Sequence, residues 1–505
     1  MAYAHYERLT ALDAVFLDVE DRHTHMHVGA VSLFEAAPLL GADGLIDMER
    51  IRRVIQVGLH RVPRYQQRLA AIPVFGSPVW VDDDHFNLTY HVRHVCLPKP
   101  GDERLLKRLV GRIMSQQLDR GKPLWELWVV EGVEGNRVAL ITKAHHCMID
   151  GVGSVELSSA LMRGTAEIER RLDHPPPWLP RTAPTPVELL LGELGRRAGE
   201  PLAALAAVRR AVADPRAAAG AVRDALLGVG EAIGAGVRPA SATPLNVDIG
   251  PHRRFDWLEM DLAAIKDVKQ RLGGTVNDVV LAIATGALGR FLHARGLRLD
   301  GLDFRAMLPV NVRGAGERDS MGNRVTMIVV QLPLDERAPR RRLERVIEAT
   351  SALKRSRQAL GVKTLEEVGD ATFTTLFSAF VRLAAVTRPY NIVVTNVPGP
   401  QFQSYFLGAP MQAVYPLVPL YRNQALGIAL FSYNGKLFWG FNADWDAVPD
   451  LHELVEATST EFNVLRDAAV AMPAGSVAEP RRTARRAAGK RAVAPQANGA
   501  GASVS

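Results

Sequence analysis

The sequence predicts a mixed α/β fold (α+β in detail), with mixed sheets divided between two lobes. Three observations lead there. At 505 residues the chain exceeds what one hydrophobic core usually organises, so more than one domain or one large two-lobed body is expected. Both halves interleave short apolar runs, bounded by turn residues, with segments of helical period. Between them, residues 166–245 shift to a Pro/Ala/Arg-rich composition, which divides a first lobe at 1–165 from a second at 246–470 and leaves 471–505 as a basic disordered tail.

In the first lobe, Leu127–Val133 and Val138–Ala144 are apolar runs joined by Glu134-Gly135-Asn136, which predicts a hairpin. The heptad His145-His146-Cys147-Met148-Ile149-Asp150-Gly151 follows the second run, and Val152–Met162 then carries apolar residues at helical spacing. The connector opens with Pro175-Pro176-Pro177, Pro180, Pro184 and Pro186, an extended stretch. Val222, Leu226, Val229 and Ile233 then form a helical stripe, and Leu202, Leu205 and Val212 beside Arg209 and Arg210 suggest another. Such helices fit either a crossover packed on the body or a basic amphipathic element lying on lipid. In the second lobe Val279–His293 reads as a helix, capped by Asn277 and closed near Gly296. Ile392–Thr395 reads as a buried strand running into Asn396-Val397-Pro398-Gly399-Pro400. Leu426–Tyr433 and Leu437–Phe441 flank Asn434-Gly435, a strong hairpin signal, and Leu451–Ala468 reads as a closing helix.

Composition excludes several classes of function. The net charge is +7, but the stretch 474–505 sets Arg481, Arg482, Arg485, Arg486, Lys490 and Arg491 against Glu479 alone, so five of those charges belong to the tail and two to the remainder. A nucleic-acid-binding face on the fold is therefore not expected. Two cysteines, Cys96 and Cys147, give no disulfide framework and suit a reducing cytosol. The first residues lack the apolar core of a signal peptide, and no run of eighteen apolar residues spans a membrane. The expectation is a cytoplasmic protein, neither secreted nor membrane-spanning, with peripheral attachment left open.

The heptad carries the chemistry. Imidazole is the side chain best suited to proton transfer near neutral pH. If the strand persists through the motif, alternation sends His145 and His146 to opposite faces, one for chemistry and one for packing or orientation. A histidine beside a hydroxyl can take its proton as that oxygen attacks a carbonyl, and a thioester donor requires no covalent enzyme intermediate. Asp150 can cap the following helix or pair with a distant Arg, and Gly151 permits a tight turn or close approach of a substrate. Further zinc ligands at coordinating spacing are not evident. Cys147 diverges from His146 on an extended segment and makes a poor nucleophile pair. His23, His25 and His27 alternate as metal ligands can, although a His-rich edge strand is the simpler expectation.

Beyond the heptad, the chain resembles the bacterial wax ester synthase/acyl-CoA:diacylglycerol acyltransferase family from about residue 8 to 465. The residues that carry the resemblance are Leu9-Thr10-Ala11-Leu12-Asp13, Met26-His27-Val28-Gly29, Pro123-Leu124-Trp125, the heptad, Asn277-Asp278, Pro309-Val310-Asn311-Val312-Arg313, Gly322-Asn323 and Asn396-Val397-Pro398-Gly399-Pro400. The resemblance implies two chloramphenicol-acetyltransferase-like lobes with an active-site tunnel between them. It makes His146 the general base and Asp150 chiefly architectural. Asn277 and Asp278 match a motif near that site, with a helix cap and its neighbour as the alternative. Thr395 or Asn396 would face the oxyanion, Arg313 would partner Asp150, and Pro123-Leu124-Trp125 would shape packing. The expected substrates are long-chain acyl-CoA and diacylglycerol or a long-chain alcohol, with no cofactor and no metal, at the inner membrane or a lipid-droplet surface. A different alcohol or amine acceptor, or a non-catalytic lipid-binding relative, are the alternatives. The acceptor pocket is assembled from residues far apart in the chain, so neither acceptor nor oligomeric state is legible in the sequence.

Overall fold

Two six-stranded mixed sheets organise the chain, in a computed structural model that describes residues 5–148, 160–167, 177–196, 238–311, 325–361 and 387–471. Asp150, Gly151, Arg313, Gly322-Asn323, most of the Val152–Met162 segment, the connector stripes at 202–233 and the tail beyond 471 lie outside the described residues.

The strands are β1 (Glu7–Arg8), β2 (His27–Glu35), β3 (Gln67–Ala71), β4 (Pro78–Asp82), β5 (Val92–Cys96), β6 (Trp125–Val133), β7 (Arg137–His145), β8 (Arg253–Asp261), β9 (Phe304–Asn311), β10 (Val325–Leu332), β11 (Ile392–Pro398), β12 (Tyr405–Phe406), β13 (Ala409–Leu417), β14 (Leu426–Tyr433) and β15 (Lys436–Asp444). The helices used below are α1 (Ala11–Val19), α2 (Met48–Leu59), α3 (Leu88–His91), α4 (Glu103–Met114), α5 (186–196), α6 (Leu262–Leu272), α7 (Val276–Ala294), α8 (Pro339–Gly361) and α9 (Leu451–Val470).

The first sheet runs β12-β13-β2-β7-β6-β5, antiparallel except for the parallel β5–β6 pair, which α4 connects. The predicted hairpin is β6–β7, closed by Gly135 and Asn136 at positive φ. Strand β7 is buried along most of its length, as an interior strand covered on both faces should be. The second sheet runs β10-β9-β11-β14-β15-β8, with β11 parallel to both β9 and β14. Its β14–β15 hairpin turns through Asn434 and Gly435 at φ 44° and 79°, the left-handed pair that a two-residue turn demands. A small sheet, β1-β4-β3, flanks the first.

The lobes are not contiguous in sequence. Strands β12 and β13, from the C-terminal half, complete the first sheet, where β13 pairs with β2. This crossing joins the cores: Tyr415 of β13 stacks on Trp257 of β8 at 4.7 Å and meets Phe438 of β15 edge-on at 5.5 Å. Helix α4 adds a second joint, since Ser115 Oγ accepts a hydrogen bond from the Arg253 N–H at 2.8 Å.

Helix α7 is the axle of the second lobe. It is buried from Asp278 through Leu292 almost without interruption, the pattern of a helix apolar all round inside a core. Its cap is Thr275 rather than the expected Asn277. The Thr275 hydroxyl accepts from Asp278 N at 3.2 Å while the Asp278 carboxylate accepts from Thr275 N at 2.8 Å, a complete capping box. Asn277 sits one residue inside the helix, with its amide free for other work. Among the described residues no single helix is long and apolar enough to cross a membrane; α6 and α7 together have the composition but meet at 97°.

Candidate active site

The heptad begins where β2 and β7 end together. His27 faces His145 across the antiparallel register, and Met26 O accepts from His146 N at 2.7 Å, one rung beyond the strand. The chain then leaves the strand for a 3₁₀ turn, His146–Met148. Strand alternation therefore does not separate the two histidines as expected. The change of backbone at His146 does so instead. His145 is buried. His146 is half-buried, with its ring stacked on Phe16 of α1 at 4.0 Å.

Helix α1 holds that face of the imidazole. Its cap is Thr10, whose hydroxyl accepts from Asp13 N at 3.1 Å and donates to the Asp13 carboxylate at 2.7 Å. The Leu9–Asp13 motif is thus the start of the helix that carries Phe16. Gly29, in the motif after Met26, has no room for a side chain, because a Cβ there would collide with the Thr142 carbonyl of β7.

His145 Nδ1 accepts the Cys147 N–H at 3.1 Å. Its Nε2 points at Glu20 Oε1, 3.6 Å away, and His27 Nε2 lies 3.5 Å from the same oxygen. Burial alone would raise the Glu20 carboxyl, but His145 and Arg120 outweigh it and hold the group below the usual carboxylate range. Burial pushes the His146 ring down to about 4, with adjacent His145 adding to the effect. The imidazole is thus neutral and able to accept a proton near pH 7. The Cys147 thiol is pushed far up by burial and stays protonated, which removes it as a nucleophile.

His23 and His25 precede β2, and β2 is an interior strand between β13 and β7, so the expected His-rich edge strand is corrected: only His27 belongs to it. Among the described residues no group of three or more His, Cys, Asp or Glu side chains could hold a metal ion.

Of the second-lobe residues singled out in the sequence, the structure joins Asn277 and Asn396. Asn396 Nδ2 donates to Asn277 Oδ1 at 3.0 Å, tying the first turn of α7 to β11. Asp278 turns away into its capping box and accepts from Thr350 Oγ1 at 2.7 Å. Thr395 is half-buried on β11. Trp125 of the Pro-Leu-Trp motif is buried, donates to Tyr65 O at 2.7 Å and stacks on His91 of α3 at 4.7 Å, a packing role. Sequence reasoning missed Phe16, Glu20 and Arg120, and nothing in their local sequence marks them.

The buried rings make the fold acid-sensitive. His91, stacked between Phe86 and Trp125, is pushed down to about 4 by burial from an ordinary 6.5. Between those values the unfolded chain binds a proton that the folded ring refuses, so stability present above pH 6.5 is lost as pH falls towards 4. At ~1.4 kcal/mol per pKa unit, His91 alone accounts for about 3 kcal/mol. His25, His27 and His146 act in the same direction. The Asp82 carboxylate, held at about 2 chiefly by Arg181 against the opposing effect of burial, contributes only at lower pH. Urea unfolding should show stability falling between pH 6.5 and 4.5; a flat profile there would mean these rings are hydrated.

Two family profiles match the chain. The wax ester synthase/diacylglycerol acyltransferase catalytic domain covers residues 9–280, and the C-terminal domain of the same family covers 321–466. The chain is 31% identical over 452 residues to the probable diacylglycerol O-acyltransferase tgs1 of Mycobacterium tuberculosis, spanning 88% of this chain and 93% of that one. To tgs2 of the same organism it is 33% identical over 464 residues, 90% and 98% of the two chains. The solved wax ester synthase/diacylglycerol acyltransferase from Marinobacter aquaeolei VT8 superposes with a TM-score of 0.64 at 25% identity, covering 92% of this chain and all of that one. A condensation domain of the CDA synthetase superposes at 0.55 with 16% identity over 93% of this chain and 98% of that one, a likeness of fold alone.

Proposed function

The chain belongs to the wax ester synthase/diacylglycerol acyltransferase family, and from that membership we propose that it moves a long-chain acyl group from acyl-CoA to the free hydroxyl of diacylglycerol, and to fatty alcohols as a second acceptor, with His146 as general base. The observation that carries this reading is the imidazole of His146, stacked on Phe16 where the chain leaves β7 for the 3₁₀ turn.

His146 takes the proton as the acceptor oxygen attacks the thioester carbonyl. The carbon–oxygen bond forms and the carbon–sulfur bond breaks. The imidazolium returns its proton to the departing CoA thiolate, so the enzyme ends in its starting state and no cofactor is consumed. Asn277 and Asn396, bonded to each other where the first turn of α7 meets β11, supply amide groups suited to the substrate carbonyl. The acyl chain is the main source of donor affinity, since about fifteen carbons at ~0.8 kcal/mol per buried CH₂ give a gross ~12 kcal/mol. One methylene discriminates by only ~1–3 kcal/mol, so broad chain-length tolerance is expected.

The test is CoA release and product analysis with palmitoyl-CoA against diacylglycerol, monoacylglycerol and hexadecanol. Triacylglycerol as the main product supports the reading. Turnover confined to an amine or to none of these alcohols would overturn it.

Peripheral contact with a lipid surface belongs to the same proposal. On α5, Val187, Leu191 and Leu194 stand exposed at 63%, 61% and 47%, at helical spacing, while Leu189 on the other side packs against β3 and β4. Inserting side chains worth ~1.5–3 kcal/mol each on full burial would anchor the protein reversibly. Substituting all three with Asp should reduce co-sedimentation with phosphatidylglycerol-containing vesicles by about tenfold or more, with the fold unchanged. Undiminished vesicle binding would place the contact elsewhere.

A further inference from the structure

We propose that Glu20 is a positioning residue for acyl transfer: its carboxylate sets the tautomer of His145 and, through His145 and Met26, the seat of His146. Its catalytic meaning rests on His146 being the base.

Glu20 follows the last turn of α1, and its side chain is 4% exposed. One carboxylate oxygen, Oε2, accepts from Arg120 twice, at 3.1 Å from Nε and 2.8 Å from Nη2. The same guanidinium donates to Leu17 O of α1 at 2.9 Å, so carboxylate and helix end are fixed together. The other oxygen, Oε1, faces three groups: His145 Nε2 at 3.6 Å, His27 Nε2 at 3.5 Å and the Met26 N–H at 3.4 Å.

From Oε1 two short routes reach His146. In the first, His145 Nε2 faces the Glu20 carboxylate at 3.6 Å, within reach of its charge but beyond a direct hydrogen bond, and its Nδ1 accepts the N–H of Cys147, the residue that follows His146 in the 3₁₀ turn. In the second, Met26 gives its N–H to Oε1 and its carbonyl accepts the His146 N–H at 2.7 Å. A third tie is α1 itself, whose Phe16 covers the His146 ring one turn before Glu20.

The chemistry at His145 admits one arrangement. Neutral imidazole has one N–H and one lone pair. Nδ1 must offer the lone pair to Cys147 N–H, so Nε2 carries the proton, and the group facing Nε2 must be an acceptor. An ionised carboxylate is only an acceptor, and His145 and Arg120 together hold the Glu20 carboxyl below its usual range against the opposing effect of burial. Glu20→Gln preserves size but not this pairing. Arg120 would claim the amide oxygen, leaving the NH₂ group to point at Nε2. Two donors would then meet, and His145 would change tautomer or rotate, either of which breaks its bond to Cys147.

Two measurements test this. Imidazole nitrogen NMR on His-labelled protein, with the His145 signals assigned from their loss in His145→Gln, should show an Nε2–H ring in the wild type and an altered one in Glu20→Gln. Steady-state kinetics of Glu20→Gln should show kcat reduced roughly tenfold to a hundredfold, with KM for palmitoyl-CoA and diacylglycerol little changed, as misplacement of a catalytic group predicts. An Nδ1–H ring in the wild type would overturn the proposal without requiring any variant to fold. So would a Glu20→Gln enzyme of wild-type kcat, or one whose kcat falls while the His145 tautomer is unchanged. If His146→Ala kept full activity, the base assignment would fall, while the NMR result would still decide whether Glu20 sets the His145 ring.

Discussion

Replacing His146 with alanine lowers kcat for acyl transfer by roughly 10²–10⁴-fold, the usual contribution of a positioned general base, or about 3–5 kcal/mol of barrier. The ring is half-buried and stacked on Phe16, so alanine also removes packing. His146→Gln, closer in size, separates the two effects: it should restore thermal stability but not rate. The pH profile provides a second reading of the same group. A base works only when neutral, and a ring held at about 4 by burial is neutral throughout the range above pH 5. The acid limb of kcat/KM should accordingly fall near pH 4 instead of near 6.5, measured where unfolding controls show native protein. A limb near 6.5 would mean that the ring is solvated in the working enzyme. Wild-type turnover by both His146 variants would show that another group takes the proton.

How much of this was legible in the chain follows from the range of each interaction. The β6–β7 and β14–β15 hairpins were legible because Gly135-Asn136 and Asn434-Gly435 dictate their turns through their own backbone preferences. Helix α7 was legible as a helix but its start was misplaced. Its residues are apolar all round, so no stripe marks a beginning, and Asn277 is as cap-competent as Thr275. The decisive signal was Thr275 with Asp278 three residues on, the capping-box spacing. The expectation that strand alternation divides the histidine pair failed because β7 ends at His145, which an apolar run ending in Ala144 does not reveal. The passage of β13 into the first sheet, and the reach of Arg120 to Glu20 a hundred residues away, depend on tertiary contacts that leave no local trace. The site's first histidine is thus set by residues that look ordinary in sequence.

The largest effect on stability is expected at Glu461, far from the heptad. Three helices of the second lobe meet there. Glu461 on α9 pairs with Arg342 on α8 through Oε2 and with Arg290 on α7 through Oε1. Arg342 and Glu461 are both buried, while Arg290 is largely exposed. Arg342 also donates to Ala282 O at 3.1 Å and Glu336 O at 3.3 Å, but those carbonyls carry no full charge to balance the guanidinium. Glu461→Ala strands that cation in a closed core and should cost about 3–5 kcal/mol in urea unfolding. Removing both charges together, as Arg342→Met with Glu461→Leu, should be far milder or neutral, because desolvation of the pair largely offsets its attraction. Gly286 provides an internal control. A Cβ there would lie 2.6 Å from the Arg342 guanidinium carbon, so Gly286→Ala should destabilise the wild type and be better tolerated in the double variant, where the fork is gone. A cost below about 1 kcal/mol for Glu461→Ala, the range of an exposed pair, would mean that water reaches Arg342 and that the three helices are held by their apolar contacts alone.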